Sequence, residues 1–103
     1  MSNLHRTLAA PNRCELKAKL LVRKQDSRFS DKWNMELQIL DIKNISGPNF
    51  AHVGDMVKGF AFDSTPNFVA QRLDSGSIIM AEAEFLGDER GGVFQLHRII
   101  LSN

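Results

Sequence analysis

Cysteine and long apolar runs are both scarce in this sequence. One cysteine in 103 residues cannot form an internal disulfide, whereas small secreted domains usually carry several. No apolar run reaches the roughly 18 residues that a membrane-spanning helix needs, and residues 1–13 contain no apolar segment of signal-peptide length. We therefore expect a cytoplasmic chain with no membrane partner.

Length and composition indicate one globular domain. Domains commonly have about 100–150 residues, and 43% of this chain is hydrophobic against 24% charged, which is enough apolar surface for a core. The net charge is only +1, but residues 1–32 contain eight basic and three acidic side chains, while residues 33–103 contain five and nine. This layout can produce a local basic surface on a nearly neutral protein. The alternative is an ordinary fluctuation of charge along the chain.

Alternation of apolar and polar residues with a period of two predicts β-strands along most of the chain. From Cys14 to Val22 every second residue is apolar, although a helix is the alternative there because Lys, Leu, Glu and Ala are good helix formers. The phase of the second strand changes near residues 40–42, which indicates a β-bulge. The five predicted strands cover residues 14–23, 33–42, 56–62, 78–86 and 93–101.

A short helix is expected between the third and fourth predicted strands. Thr65 can cap it and Pro66 suits its first position, so the helix would cover residues 67–73. Three segments mark where the predicted strands begin or end. They are VGDMVKG at 53–59, LDSGSI at 73–78, and the hairpin EFLGDERGGVFQL at 84–96.

This pattern of strands and glycines resembles the oligonucleotide/oligosaccharide-binding barrel, the OB fold. The resemblance implies an all-β fold, a five-stranded Greek-key barrel with a short helix between strands 3 and 4. The resemblance covers roughly residues 14–101. We expect residues 14–103 to form a single domain and residues 1–13, which are mostly polar and small, to form a flexible N-terminal arm. An SH3-like barrel is the alternative, but that fold usually lacks the inserted helix.

Residues that could support catalysis are few and scattered. Cys14 lies on the apolar side of its strand, where a buried structural thiol is expected and not a nucleophile. The histidines have no metal-ligand spacing, and one cysteine cannot build a thiolate zinc site. Glu82 and Glu84 share a side of one strand, as residues of a solvated face also do. The sequence therefore predicts no enzyme, no metal site and no cofactor.

The resemblance also implies where a ligand would bind. In OB folds the ligand face consists of strands two and three with the loops after strands one and four. Aromatic and basic side chains fall there, and this combination holds single strands by stacking on bases and neutralising phosphates. The candidate nucleic-acid-binding residues are Phe60, Phe62, Lys58, Phe29, Arg28, Lys32 and Lys19.

The direction of Phe60 and Phe62 decides this interpretation. If Gly59 and Ala61 fill the barrel, both rings point outward, and small residues suit a narrow interior. In the opposite phase the rings belong to the core and the small residues lie against another element. Phe29 has an alternative as well, which is to fold back over the barrel as a lid.

The main hypothesis from the sequence is a non-catalytic module that binds single-stranded DNA or RNA with little sequence preference. Two features argue against tight binding: Glu36 lies in the expected face, and tyrosine, a common stacking residue, is absent. The alternative is a protein–protein interaction module or a homodimer that uses the same face, as a subunit of a larger complex. A small-molecule or oligosaccharide site in the mouth of the barrel is a third hypothesis.

Overall fold

The computed structural model describes residues 10–88 and 91–102 of the chain. These residues form a closed barrel of five strands, so the predicted all-β, five-stranded barrel is confirmed. Within the same residues, no helix has the length and apolar character that crossing a membrane requires. The strands are β1 (Arg13–Gln25), β2 (Lys32–Ser46), β3 (Met56–Phe62), β4 (Ile78–Asp88) and β5 (Gly91–Leu101).

The order of strands around the barrel is β1-β2-β3-β5-β4, and β4 returns to pair with β1. Neighbouring strands are antiparallel except β3 and β5, which run parallel. Their ladder is also short, with Gly59 opposite Phe94 and Phe60 opposite Gln95. Because a closed barrel leaves no long unpaired strand edge, this short parallel contact completes the fold.

The core is built by the alternation that the sequence shows. Successive side chains of a strand point to opposite faces, so every second residue can enter the barrel. Leu16 and Leu20 of β1 and Leu37 and Ile39 of β2 are completely buried, and Cys14 lies among the buried residues of β1 as expected. The largest fully buried side chains are Leu16, Leu20, Leu37, Ile39, Ile79, Leu96 and Ile99.

A bulge in β1 reverses the alternation after Leu20 and corrects the sequence interpretation at Val22. Leu20 pairs with Leu37, and Val22 pairs with Glu36, the next residue along β2, so Leu21 is an extra residue in β1. One extra residue sends every later side chain to the opposite face. Val22 is therefore 44% exposed instead of buried, and β1 continues through part of the predicted loop to Gln25.

The same reversal brings Arg23 to the end of the barrel beside Trp33. Trp33 is half-buried and packs against the core, and its Nε1–H donates a hydrogen bond of 2.9 Å to Asp63 Oδ1. The guanidinium carbon of Arg23 lies 5.2 Å from the centre of the Trp33 ring, and Arg23 also donates to the carbonyl oxygen of Ala70. These contacts attach the β3–β4 connection to the barrel.

The short helix expected over residues 67–73 is not confirmed. A single turn of 3-10 helix, Ala70–Arg72, lies in this segment. Asn67 has a φ of +65°, and a right-handed helix cannot pass through a left-handed residue. Thr65 does not cap a helix either, since its hydroxyl accepts the N–H of Phe62 at 3.0 Å and so closes the end of β3. The buried side chains of the segment are Phe68, Ala70 and Leu73.

Gly59 allows β3 to lie close to its neighbours at the point where the barrel closes. A Cβ atom at this position would be 3.2 Å from Leu37 Cδ1 and 3.3 Å from the carbonyl oxygen of Phe94. Both distances are shorter than an ordinary carbon contact, so a side chain would have to displace a core residue or the backbone of β5. Glycine at this position therefore spares Leu37 and the backbone of β5 a shift of a few tenths of an ångström.

Asn12 extends the pairing of β1 with β4 by one side chain. Its Nδ2–H groups donate to the carbonyl oxygens of Ala10 at 2.9 Å and Phe85 at 3.0 Å, and its Oδ1 accepts the N–H of Phe85 at 2.8 Å. Residues 1–9 of the expected arm lie outside the described residues. Asn12 is buried and Arg13 begins β1, so the barrel contacts start before residue 14.

We expect the Asn12→Ala substitution to lower the free energy of unfolding by about 1–3 kcal/mol. The substitution leaves both backbone polar groups of Phe85 without their partner in a partly buried position. Urea unfolding followed by fluorescence of Trp33 measures the loss. Asn49→Ala is the matched control, because Asn49 is exposed and is expected to change stability by less than about 0.5 kcal/mol. Equal losses in the two variants would contradict this role of Asn12.

Candidate nucleic-acid interface

The phase of β3 places two phenylalanine rings on the outside of the barrel. Gly59 and Ala61 are buried, and Ala61 is 0% exposed. Phe60 and Phe62, which alternate with them, are half-buried on the opposite face. The structure thus confirms the phase in which the small residues of β3 fill the interior.

Phe60 and Phe62 form a small aromatic surface with a lysine beside it. The two rings meet edge to face, with their centres 5.7 Å apart and their planes at 86°. Lys32 lies opposite Phe62 across the β2–β3 ladder, and its Nζ is 4.6 Å from the centre of the Phe60 ring. A cation at this distance from a ring face is attracted by the π electrons. A positive charge therefore lies over the Phe60 ring of this aromatic surface.

A groove of about 330 Å³ runs beside the Phe60 ring. Its volume is at the lower end of the range for small-ligand sites, which is about 300–1,000 Å³. Three lysines and one glutamate contribute to its wall, so the lining has an excess of positive charge. The lining residues are Val22, Lys24, Lys32, Asn34, Met35, Glu36, Lys58, Gly59, Phe60 and Val93.

Two of the predicted residues on β2 and β3 meet in this groove together with Phe60. Lys32 and Lys58 are both in its wall, and Lys58 lies opposite Glu36 in the ladder. Phe62 contacts Phe60 next to the groove without lining it. These residues form one continuous surface, as the sequence predicted, although their binding role stays a prediction.

The remaining predicted residues lie apart from the groove. Arg28 and Phe29 are exposed in the loop between β1 and β2, and Phe29 is 56% exposed, so it does not fold back as a lid. Lys19 is exposed on β1, opposite Gln38 and Ile78. The loop after β4 was also expected to contribute, but its residues 89–90 lie outside the described residues.

Sequence reasoning missed Val22 and Lys24 as members of the groove. Both reach it because of the bulge at Leu21, which turns them to the outer face. The three consecutive apolar residues 20–22 interrupt strict alternation, and that interruption was the available signal of a bulge.

Asp26 organises the loop between β1 and β2. Its Oδ2 accepts the backbone N–H groups of Arg28 at 2.9 Å and Phe29 at 3.1 Å, and its Oδ1 accepts an Nδ2–H of Asn34 at 2.9 Å. The hydrogen bond from Asn34, followed by that from the Arg28 amide, lowers the pKa of Asp26 below its ordinary value. One ionised side chain thus connects the exposed loop to the groove wall.

Two of the described groups that could take part in catalysis, Cys14 and His97, are buried or engaged in a contact within the barrel. Burial raises the pKa of the Cys14 thiol, although the nearby Arg13 opposes this, so the unreactive protonated form is favoured. His97 Nε2 lies 3.0 Å from Glu84 Oε1 across β4 and β5. Within residues 10–88 and 91–102, no three His, Cys, Asp or Glu side chains are grouped as metal ligands.

No known family model matches this chain, and no curated protein matches its sequence.

We expect the hydrogen bonds around Asp26 to survive acidification until the pH falls below the ordinary pKa of an aspartate. Because the folded-state pKa is lowered, their contribution is present at higher pH and is lost as the pH falls through that lowered value. An acid titration followed by NMR should show the amide signals of Arg28 and Phe29 moving together. Asp26→Asn should remove this step, and a midpoint above the ordinary value in the wild type would contradict the prediction.

Proposed function

We propose that this protein is a non-catalytic module that binds single-stranded DNA or RNA in the groove formed by β2, β3 and the adjoining end of β1. The observation that carries the proposal is the Phe60 ring, which lines a groove whose wall also contains Lys24, Lys32 and Lys58. A flat apolar surface next to several cations fits the two parts of a nucleotide, the base and the phosphate.

A single strand fits this surface better than a duplex does. Base pairing and stacking already occupy the faces of duplex bases, whereas an unpaired base can turn out and stack on a ring. Phe60 is half-buried, and its edge-to-face contact with Phe62 restrains the orientation of the ring. Charge alone cannot support tight duplex binding, since the chain has a net charge of only +1.

We also propose that the barrel is an OB fold with a Greek-key connection of its strands. The strand order β1-β2-β3-β5-β4 and the parallel contact of β3 with β5 support this assignment. The groove lies on β2 and β3, the part of the barrel where OB folds commonly bind oligonucleotides. Fold alone does not establish function, so the proposal depends on the groove residues.

We expect Phe60→Leu to weaken the binding of a labelled thymidine strand by about tenfold at every salt concentration. Leucine retains an apolar side chain but lacks the flat face, and each stacked base contributes about 1–3 kcal/mol. Fluorescence anisotropy measures the affinity. Phe50→Leu is the matched control, because Phe50 stacks on Phe85 outside the groove lining. Equal affinities of the wild type and Phe60→Leu would contradict the stacking role.

We expect Lys58→Gln to lower both the affinity and its salt dependence. Binding of single strands falls with salt with a logarithmic slope of about −0.7 for each neutralised phosphate. Losing one such contact should make the slope about 0.7 smaller in magnitude. Lys43→Gln is the control, since Lys43 is exposed on β2 but does not line the groove. If both variants kept the wild-type slope, Lys58 would not contact a phosphate.

A protein partner is the second candidate, because apolar side chains are exposed near the other end of the same face. Met56, which precedes Lys58 on the outer face of β3, is 67% exposed, and Val53 in the preceding loop is 62% exposed. Such side chains can form the centre of an interface. Failure to bind DNA or RNA strands, together with a sedimentation mass above that of one chain, would favour a homodimer that uses this face.

A further inference from the structure

Glu36 is an exposed carboxylate in a groove whose other charged lining residues are lysines. It shares the lining with Lys24, Lys32 and Lys58. Lys58 is its direct neighbour across the ladder, yet Glu36 forms no ion pair or side-chain hydrogen bond with any described residue. A negative charge at this position opposes the approach of a phosphate. Glu36 therefore does not favour phosphate binding, whereas an exposed carboxylate can accept hydrogen bonds from a base that carries donors.

Asn34 adds a second hydrogen-bond acceptor next to Glu36. Its Nδ2 donates to Asp26 Oδ1, and the orientation of the amide is determined because an ionised carboxylate can only accept. The Asn34 Oδ1 is then an acceptor held by a fixed side chain. Residues 34 and 36 point to the same face of β2, so the two acceptors are adjacent in the groove wall.

The stacking ring lies directly beside these acceptors. Phe60 is opposite Asn34 in the β2–β3 ladder, and directly paired residues have their Cβ atoms about 4.5–5.5 Å apart. A base that stacks on Phe60 would therefore have one edge near Asn34 and Glu36. Both groups accept hydrogen bonds, so the edge that fits them has to donate.

We propose that the groove selects bases whose Watson–Crick edge carries amino donors, guanine above all, and disfavours thymine and uracil. This inference rests on the proposed function and assigns a base preference to the same site. Guanine has adjacent N1–H and N2–H donors on one edge, and the two oxygens of a carboxylate can accept both together. Cytosine and adenine have one amino group on that edge, so their affinities should lie between those of guanine and of thymine or uracil.

Thymine and uracil fit poorly for an electrostatic reason. Each has a single N3–H on this edge, and a carbonyl oxygen lies on either side of it. The carboxylate of Glu36 repels both oxygens, and the Oδ1 of Asn34 finds no second donor. A site whose polar groups stay unpaired with the wrong ligand discriminates strongly against that ligand.

The test compares a short thymidine strand with the same strand in which central thymines are replaced by guanine. Fluorescence anisotropy gives the affinities of the wild type, Glu36→Gln and Glu15→Gln. Glu15→Gln is the matched control, because Glu15 is a half-buried glutamate of β1 that does not line the groove. The same comparison is repeated with uridine strands, so that the base preference is measured for RNA as well as for DNA.

We expect the wild type and Glu15→Gln to prefer the guanine-containing strand by about tenfold, the discrimination of one good two-bond contact. Glu36→Gln should lose most of this preference and should bind the thymidine strand as well as the wild type or better, since the repulsion is gone. If Glu36→Gln acted only on the structure, it would weaken the binding of both strands equally, and this result would overturn the inference.

The failure of this inference can be distinguished from the failure of the proposed function. Binding that depends on Phe60 but is equal for the two strands would overturn the base preference and leave the proposed function intact. A preference for guanine that persists in Glu36→Gln would also overturn it. Binding to none of the strands would overturn the proposed function and the preference together.

Discussion

The narrow interior of the barrel is the constraint on which the rest of this structure depends. At the closure between β3 and β5 the interior has little space beside Gly59, where a Cβ atom would lie 3.3 Å from the carbonyl oxygen of Phe94. Successive side chains of a strand point to opposite faces, so the residues that alternate with Gly59 point away from the interior. With Gly59 and Ala61 inside, Phe60 and Phe62 have to be outside. The packing of the core thus produces the aromatic surface.

The bulge in β1 supplies the other side of the groove. One extra residue, Leu21, turns Val22 and Lys24 toward the outer face and sends Arg23 to the ring of Trp33. Without it, Lys24 would point to the opposite face and Val22 would enter the core. Bulges are costly to sheet pairing and are found where a side chain has to be redirected. Here one irregularity serves both the end of the barrel and the groove.

Much of the fold could be predicted from the sequence, because a half-buried strand records its two faces as alternation. The phase of β3 was left open, because the sequence favoured glycine and alanine in a narrow interior but did not exclude phenylalanine in the core. The bulge was not recognised, because Val22 is apolar and continues the alternation of β1 across it. The expected helix depended on local signals at Thr65 and Pro66, and these signals did not reveal the positive φ of Asn67. The hydrogen bonds of Asp26 join residues of different elements, which no local pattern encodes.

The lysines and the glutamate of the groove would affect different properties of a nucleic-acid site, namely its affinity and its selectivity. Lysines attract the phosphates of any strand, so they raise affinity without distinguishing sequences. A carboxylate without an ion-pair partner among the described residues weakens that attraction. The loss of affinity is offset only when a base donates hydrogen bonds to the carboxylate. Glu36 has this property, and Asn34 shares it because Asp26 fixes its amide. An aspartate is already ionised at neutral pH, and the lowered pKa of Asp26 extends its ionised range to more acidic pH, so it can accept the hydrogen bond from Asn34 over that range as well. If the proposed function holds, a groove of this composition gives up binding strength and gains discrimination between bases.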